Sequence, residues 1–159
     1  MKRQHLCSAL PVPLLLTLTG CGGRSSGPTG PSEPQPFLAG TWQGTMTIQP
    51  NSTARQPPPP VTSAVTWTFQ VVPQTNLQTF RTTIQSQNTW LPNIVTVSTS
   101  MSPGNTPARI SSQGGYDSPR GCRGTFGSFG DADTTRIQAD VTGVDCPAPF
   151  TGIVTLTKN

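Results

Sequence analysis

The sequence predicts an all-β fold: a single antiparallel up-and-down β-barrel of about eight strands, with a two-sheet β-sandwich as the alternative. Three observations predict it. Composition comes first: 18 prolines and 16 glycines, only 10% charged residues, and a single glutamate, Glu33, leave few good helix formers. Second, apolar residues alternate with Thr, Ser and Gln at period two, in runs separated by turn residues, and no window shows helical periodicity. Third, glycines recur inside the runs at Gly44, Gly124, Gly127 and Gly152, and the runs follow one another with mostly short links. Strand glycines permit the sharp coiling that closes a barrel, and sequential strands suit a meander.

The chain opens with "MKRQH", two positive charges, followed by "LCSALPVPLLLTL", an apolar stretch too short to span a bilayer. A charged start, a short apolar core and small residues after it read as an export signal, residues 1–20. Leu18-Thr19-Gly20-Cys21 resembles the lipobox of bacterial lipoproteins. The resemblance implies that Cys21 takes a diacylglycerol thioether, that the signal is cut just before it, and that the new amino group is often acylated as well. It also implies attachment to a membrane through that lipid. Gly22, a residue other than Asp after the Cys, implies sorting to the outer membrane of a Gram-negative host. Two or three acyl chains anchor stably where one binds only marginally.

Four cysteines are present. Cys7 would leave with the signal and Cys21 would carry lipid, so Cys122 and Cys146 remain as a pair in an exported protein, and a disulfide between them is expected. Residues 21–37 form the lipidated Cys and a Gly/Ser/Pro tether with little to bury. Such a tether reaches roughly 20 Å, enough to lift the domain at residues 38–159 off the headgroups.

Within that domain the first run alternates through Trp42, Gly44, Met46 and Ile48. Pro57 to Pro60 then force an extended loop. Val65, Trp67, Phe69 and Val71 share a face, as do Phe80, Thr82 and Ile84, and then Val95, Val97, Thr99 and Met101. A weaker run surrounds Ile110. "CRGTFGSFGD" and "RIQADVTG" follow, with Asp131-Ala132-Asp133-Thr134 expected to turn a hairpin between them, since Asp side chains bond their own backbone. That hairpin brings Cys122 and Cys146 to its open base. Phe150, Val154 and Leu156 point inward in the last run.

"LAGTWQGTMTI" resembles the first strand of lipocalins and avidins, where a Gly-X-Trp near the domain start plugs the barrel floor; here this is Gly40, Thr41 and Trp42. The resemblance implies a lipocalin-like barrel able to hold a small apolar ligand. The arginine that covers the tryptophan from the last strand of that family is missing; Lys158 is the cation there.

The formal net charge of +4 falls to about +2 without Lys2 and Arg3, and the remaining cations are scattered, so no stripe can track a phosphate backbone and nucleic acid is not an expected partner. The sole histidine, His5, lies in the signal, which leaves no base for a Ser-His or Cys-His nucleophile and too few ligands for zinc. Asp131 and Asp133 start like a calcium loop but lack its glycine and terminal glutamate. No catalytic residue, metal or cofactor is expected. Trp42, Trp90 and Tyr116 are the candidate ligand or contact residues, with Trp90 at a strand edge or loop and Tyr116 in a loop. Two functions fit: a carrier of a small apolar ligand, or a structural or protein-binding module of the envelope with a filled core.

Overall fold

The computed structural model describes residues 36–51, 57–73, 78–102, 107–146 and 148–159. The export signal, Cys21 and nearly all of the tether lie outside the described residues. Eight strands run β1 (Gly40–Pro50), β2 (Val61–Val71), β3 (Thr79–Ser86), β4 (Ile94–Met101), β5 (Ala108–Asp117), β6 (Arg123–Ala132), β7 (Arg136–Asp145) and β8 (Ala148–Lys158). Each pairs antiparallel with its sequence neighbour, and β1 also pairs with β8, so the sheet closes into an up-and-down barrel. This is the barrel expected from the sequence, not the sandwich.

Closure depends on the β1–β8 seam, where Gly44 sits opposite Leu156 and Gly152 opposite Ile48. A Cβ on Gly44 would run into the Thr155 carbonyl, and one on Gly152 into the Thr47 carbonyl. Only glycine lets the two backbones coil this tightly.

The period-two pattern divides inside from outside. Trp42, Met46 and Ile48 of β1, Val65, Trp67 and Phe69 of β2, and their counterparts around the barrel face inward. The Trp67 ring packs against Phe69 and edge-on against Phe126, with centroids 6.0 Å apart in both cases. The outer wall is mostly Thr, Ser and Gln, the reverse of a transmembrane barrel, which turns an apolar band outward. Among the described residues, no helix is long and apolar enough to cross a membrane.

The β6–β7 hairpin forms as expected, though β6 continues through Ala132 and the turn begins at Asp133. Asp133 Oδ1 accepts the amide N–H groups of Thr135 and Arg136, each at 2.7 Å, and the Thr135 hydroxyl at 2.8 Å. These donors hold the Asp133 carboxyl below the usual carboxylate range. Asp131 is part of the strand and pairs with Arg109 at 3.1 Å.

Candidate functional site

The barrel has two ends, and the candidate residues occupy both. At the end where β1 begins, Trp42 is fully buried and donates its indole N–H to the Leu38 carbonyl at 2.9 Å. The Lys158 ammonium lies 5.4 Å from the Trp42 ring centroid and donates to the Phe37 carbonyl. A lysine from the last strand therefore covers the tryptophan. Trp42 closes the floor and offers no surface to a ligand.

The opposite end carries a clasp built from four elements. Tyr116, on β5, donates its hydroxyl to Asp145 Oδ1 at 3.3 Å. Arg120, in the β5–β6 turn, approaches Asp145 Oδ2 at 3.6 Å, and its guanidinium carbon lies 4.7 Å from the Trp90 ring centroid in the β3–β4 loop. Cys122 and Cys146 join the two arms at disulfide distance, with Cα atoms 5.6 Å apart, beside Asp145. Cys122, Asp145 and Cys146 cluster closely enough for a metal, but the disulfide uses both thiols. Ser86 and Asn88 brace the β3–β4 loop: the Asn88 amide N–H donates to Ser86 Oγ at 3.0 Å, and Asn88 Oδ1 accepts the Trp90 amide N–H at 3.0 Å.

Tyr116 corrects the expectation of an exposed loop aromatic. It lies in β5, faces inward and is 6% exposed. Its strand reads weakly because Ser112 and Gly114 also take inward positions, so the apolar side of the alternation nearly disappears. Burial, the negative charge of Asp145 and the hydrogen bond to it all raise the Tyr116 pKa, while Arg120 opposes them. The phenol stays neutral and acts as a donor. Asp145, with 3% of its side chain exposed, is committed to Tyr116 and Arg120. The arrangement fixes loops and supplies no free nucleophile or base.

Sequence reasoning missed Arg120 and Asp145. The available signal was their position, two residues before Cys122 and one before Cys146, which the disulfide turns into proximity.

Inside the barrel a row of hydroxyls crosses β3, β4 and β5: Thr82 Oγ1 to Thr99 Oγ1 at 2.6 Å, and Thr99 Oγ1 to Ser112 Oγ at 2.8 Å. Trp67 Nε1 and Ser128 Oγ are buried without a partner among the described residues. On the outer wall, one depression of about 420 Å³ lies between β2, β3 and β4, beside Gln85 and Ile94, and another of about 360 Å³ lies over β5 to β8, beside Phe129 and Asp140.

No protein-family model matches this chain, and no curated protein matches it. Among solved structures it is similar to a protein of unknown function from the DUF3598 family of Nostoc punctiforme, at a TM-score of 0.44 and 12% sequence identity. The alignment covers 77% of this chain and 48% of that one, so this chain spans about half the length of that protein.

Proposed function

We propose that this chain is a lipid-anchored, non-catalytic protein of the bacterial outer membrane, whose barrel is a filled scaffold that meets other envelope proteins through its outer wall and loops. One observation carries the scaffold reading: the buried apolar residues, from Trp42 and Trp67 to Phe126 and Leu156, are each 0–6% exposed. A carrier of a small apolar ligand would need an internal cavity of about 300 Å³ or more. Among the described residues, the depressions of about 420 and 360 Å³ open on the outer wall. The anchor rests on Leu18-Thr19-Gly20-Cys21 and on the tether that follows it.

Native mass spectrometry of the detergent-extracted full chain tests the scaffold reading. The expected mass is that of the processed, acylated polypeptide alone. A stoichiometric noncovalent companion of low mass, released on denaturation, would overturn it in favour of the carrier.

A further inference from the structure

The outer wall breaks its hydrophilic pattern at Ile94 and Val144, and in one cross-strand row that sets two large apolar side chains beside a carboxylate. Phe129 of β6 is opposite Asp140 of β7, which is opposite Ile153 of β8. Phe129 is 56% exposed and Ile153 58%, and both line the same 360 Å³ depression as Asp140. Exposing large apolar side chains to water costs free energy, and here two of them flank one carboxylate. The cation that lines the depression is already matched. Arg109 pairs with Asp131 at 3.1 Å while its guanidinium carbon lies 5.6 Å from the Phe129 ring centroid. Arg136 donates to Gln138 Oε1 at 3.2 Å. Asp140 is exposed and has no cation within ion-pair distance among the described residues.

We propose that this row docks an amphipathic helix of another protein that presents a lysine or arginine between two apolar side chains. The charge complement is a single cation. The spacing follows from sheet and helix geometry. Phe129 and Ile153 stand two strands apart, about 10 Å at 4.7–4.9 Å per strand. Helix residues i and i+7 are about 10.5 Å apart along the axis, with i+4 between them on the same face. A helix laid across β6, β7 and β8 therefore sets its first apolar residue on Phe129, its cation on Asp140 and its second apolar residue on Ile153. This goes beyond the scaffold reading, because the outer wall can dock a helix whether or not the interior holds a ligand.

The test uses the full chain in phosphatidylcholine nanodiscs and two fluorescent 15-residue amphipathic peptides. Each carries leucine at i and i+7, one with lysine and the other with glutamate at i+4. Anisotropy should show saturable binding of the lysine peptide above empty nanodiscs, and weaker binding of the glutamate peptide. Asp140→Asn should weaken the lysine peptide about two- to fivefold, the range for an exposed ion pair. Asp140→Lys should reverse the preference between the peptides, and Phe129→Ser should weaken both. Asp140 is exposed and outside the core, so these variants keep the fold. The proposal is overturned by the absence of saturable binding, or by a peptide preference that Asp140→Lys leaves unchanged. Light scattering that shows a dimer of this chain dispersed by Asp140→Lys would assign the row to a second copy and equally overturn it. An internal ligand found by mass spectrometry would leave these outcomes untouched, so the two readings fail separately.

Discussion

Replacing Trp42 by alanine tests the architecture at its most loaded point. The side chain is fully buried, its indole N–H satisfies the Leu38 carbonyl at 2.9 Å, and Lys158 covers its ring. Emptying a large aromatic site costs about 3–5 kcal/mol. Orphaning the buried Leu38 carbonyl adds on the order of 1 kcal/mol. The expected loss of about 4–6 kcal/mol is a large share of the 5–15 kcal/mol that holds a typical domain together. In urea, at a slope of about 2 kcal/mol per molar, the midpoint should fall by about 2–3 M. Trp42→Phe keeps most of the packing and loses the donor, so its loss should be about 1–3 kcal/mol; it supplies the measurement if the alanine variant does not fold. Trp90→Ala removes a half-buried ring stacked under Arg120, worth about 1 kcal/mol. Urea titrations followed by circular dichroism separate the three. If Trp42→Ala is neutral within 1 kcal/mol and Trp90→Ala loses 3 or more, Trp42 does not close the barrel and the packing argument fails.

Tyr116 is the only tyrosine, so its ionisation can be read alone by absorbance at 295 nm. Its raised pKa means that the stability it confers is intact below about pH 10 and is lost as pH rises beyond that; phenolate should therefore appear only with unfolding, and half-ionisation near pH 10 in the folded protein would refute the buried contact with Asp145. Alkylation under non-reducing conditions should find neither Cys122 nor Cys146 free. Reduction should cost about 3 kcal/mol for a loop closed over a separation of 24 residues, and two labelled thiols in the natively exported protein would remove the disulfide. Cys21→Ala should abolish acyl labelling and release the protein from membranes; a variant that still fractionates with detergent-extracted membrane would sink the anchor.

The strands were legible because their signal is local. Every second residue from Trp42 to Ile48, or from Val65 to Phe69, faces the same way whatever the rest of the chain does. The fifth strand was the weakest because Ser112 and Gly114 occupy inward positions, and Ser112 belongs there as the end of a hydroxyl row that includes Thr82 and Thr99. One inward threonine among apolar neighbours, as at Thr82 or Thr99, leaves the alternation readable, but Ser112 and Gly114 in succession erase it, and Tyr116 drops out of the strand with them. The clasp is nonlocal: Arg120 and Asp145 are separated by the whole β6–β7 hairpin and meet because a disulfide closes its base. The exposed row is legible by parity. Phe126 and Phe129 are an odd number of positions apart and cannot both face inward, and Ile153 adjoins the inward Val154.

The same features constrain how any partner can approach. The β1–β8 pairing closes the sheet, and among the described residues the ladder opens chiefly where β4 and β5 part beyond the Ser98–Gln113 pair, so strand addition by backbone hydrogen bonds finds little edge to use. Trp42 closes one end beneath Lys158, and the disulfide, Asp145 and the Arg120–Trp90 stack bind the loops of the other. The interior is taken up by side chains such as Trp67, Phe69 and Phe126. On the scaffold reading proposed above, recognition falls to side-chain chemistry on the outer surface. Most of that surface is a uniform field of hydroxyls and amides, which binds water as well as it binds anything else. A site must depart from that field by offering apolar area that gains from leaving water and a charge that fixes register. Phe129, Asp140 and Ile153 do both within a single row, and for that reason the search for a partner should start at the outer wall of β6, β7 and β8 rather than at the mouth of the barrel.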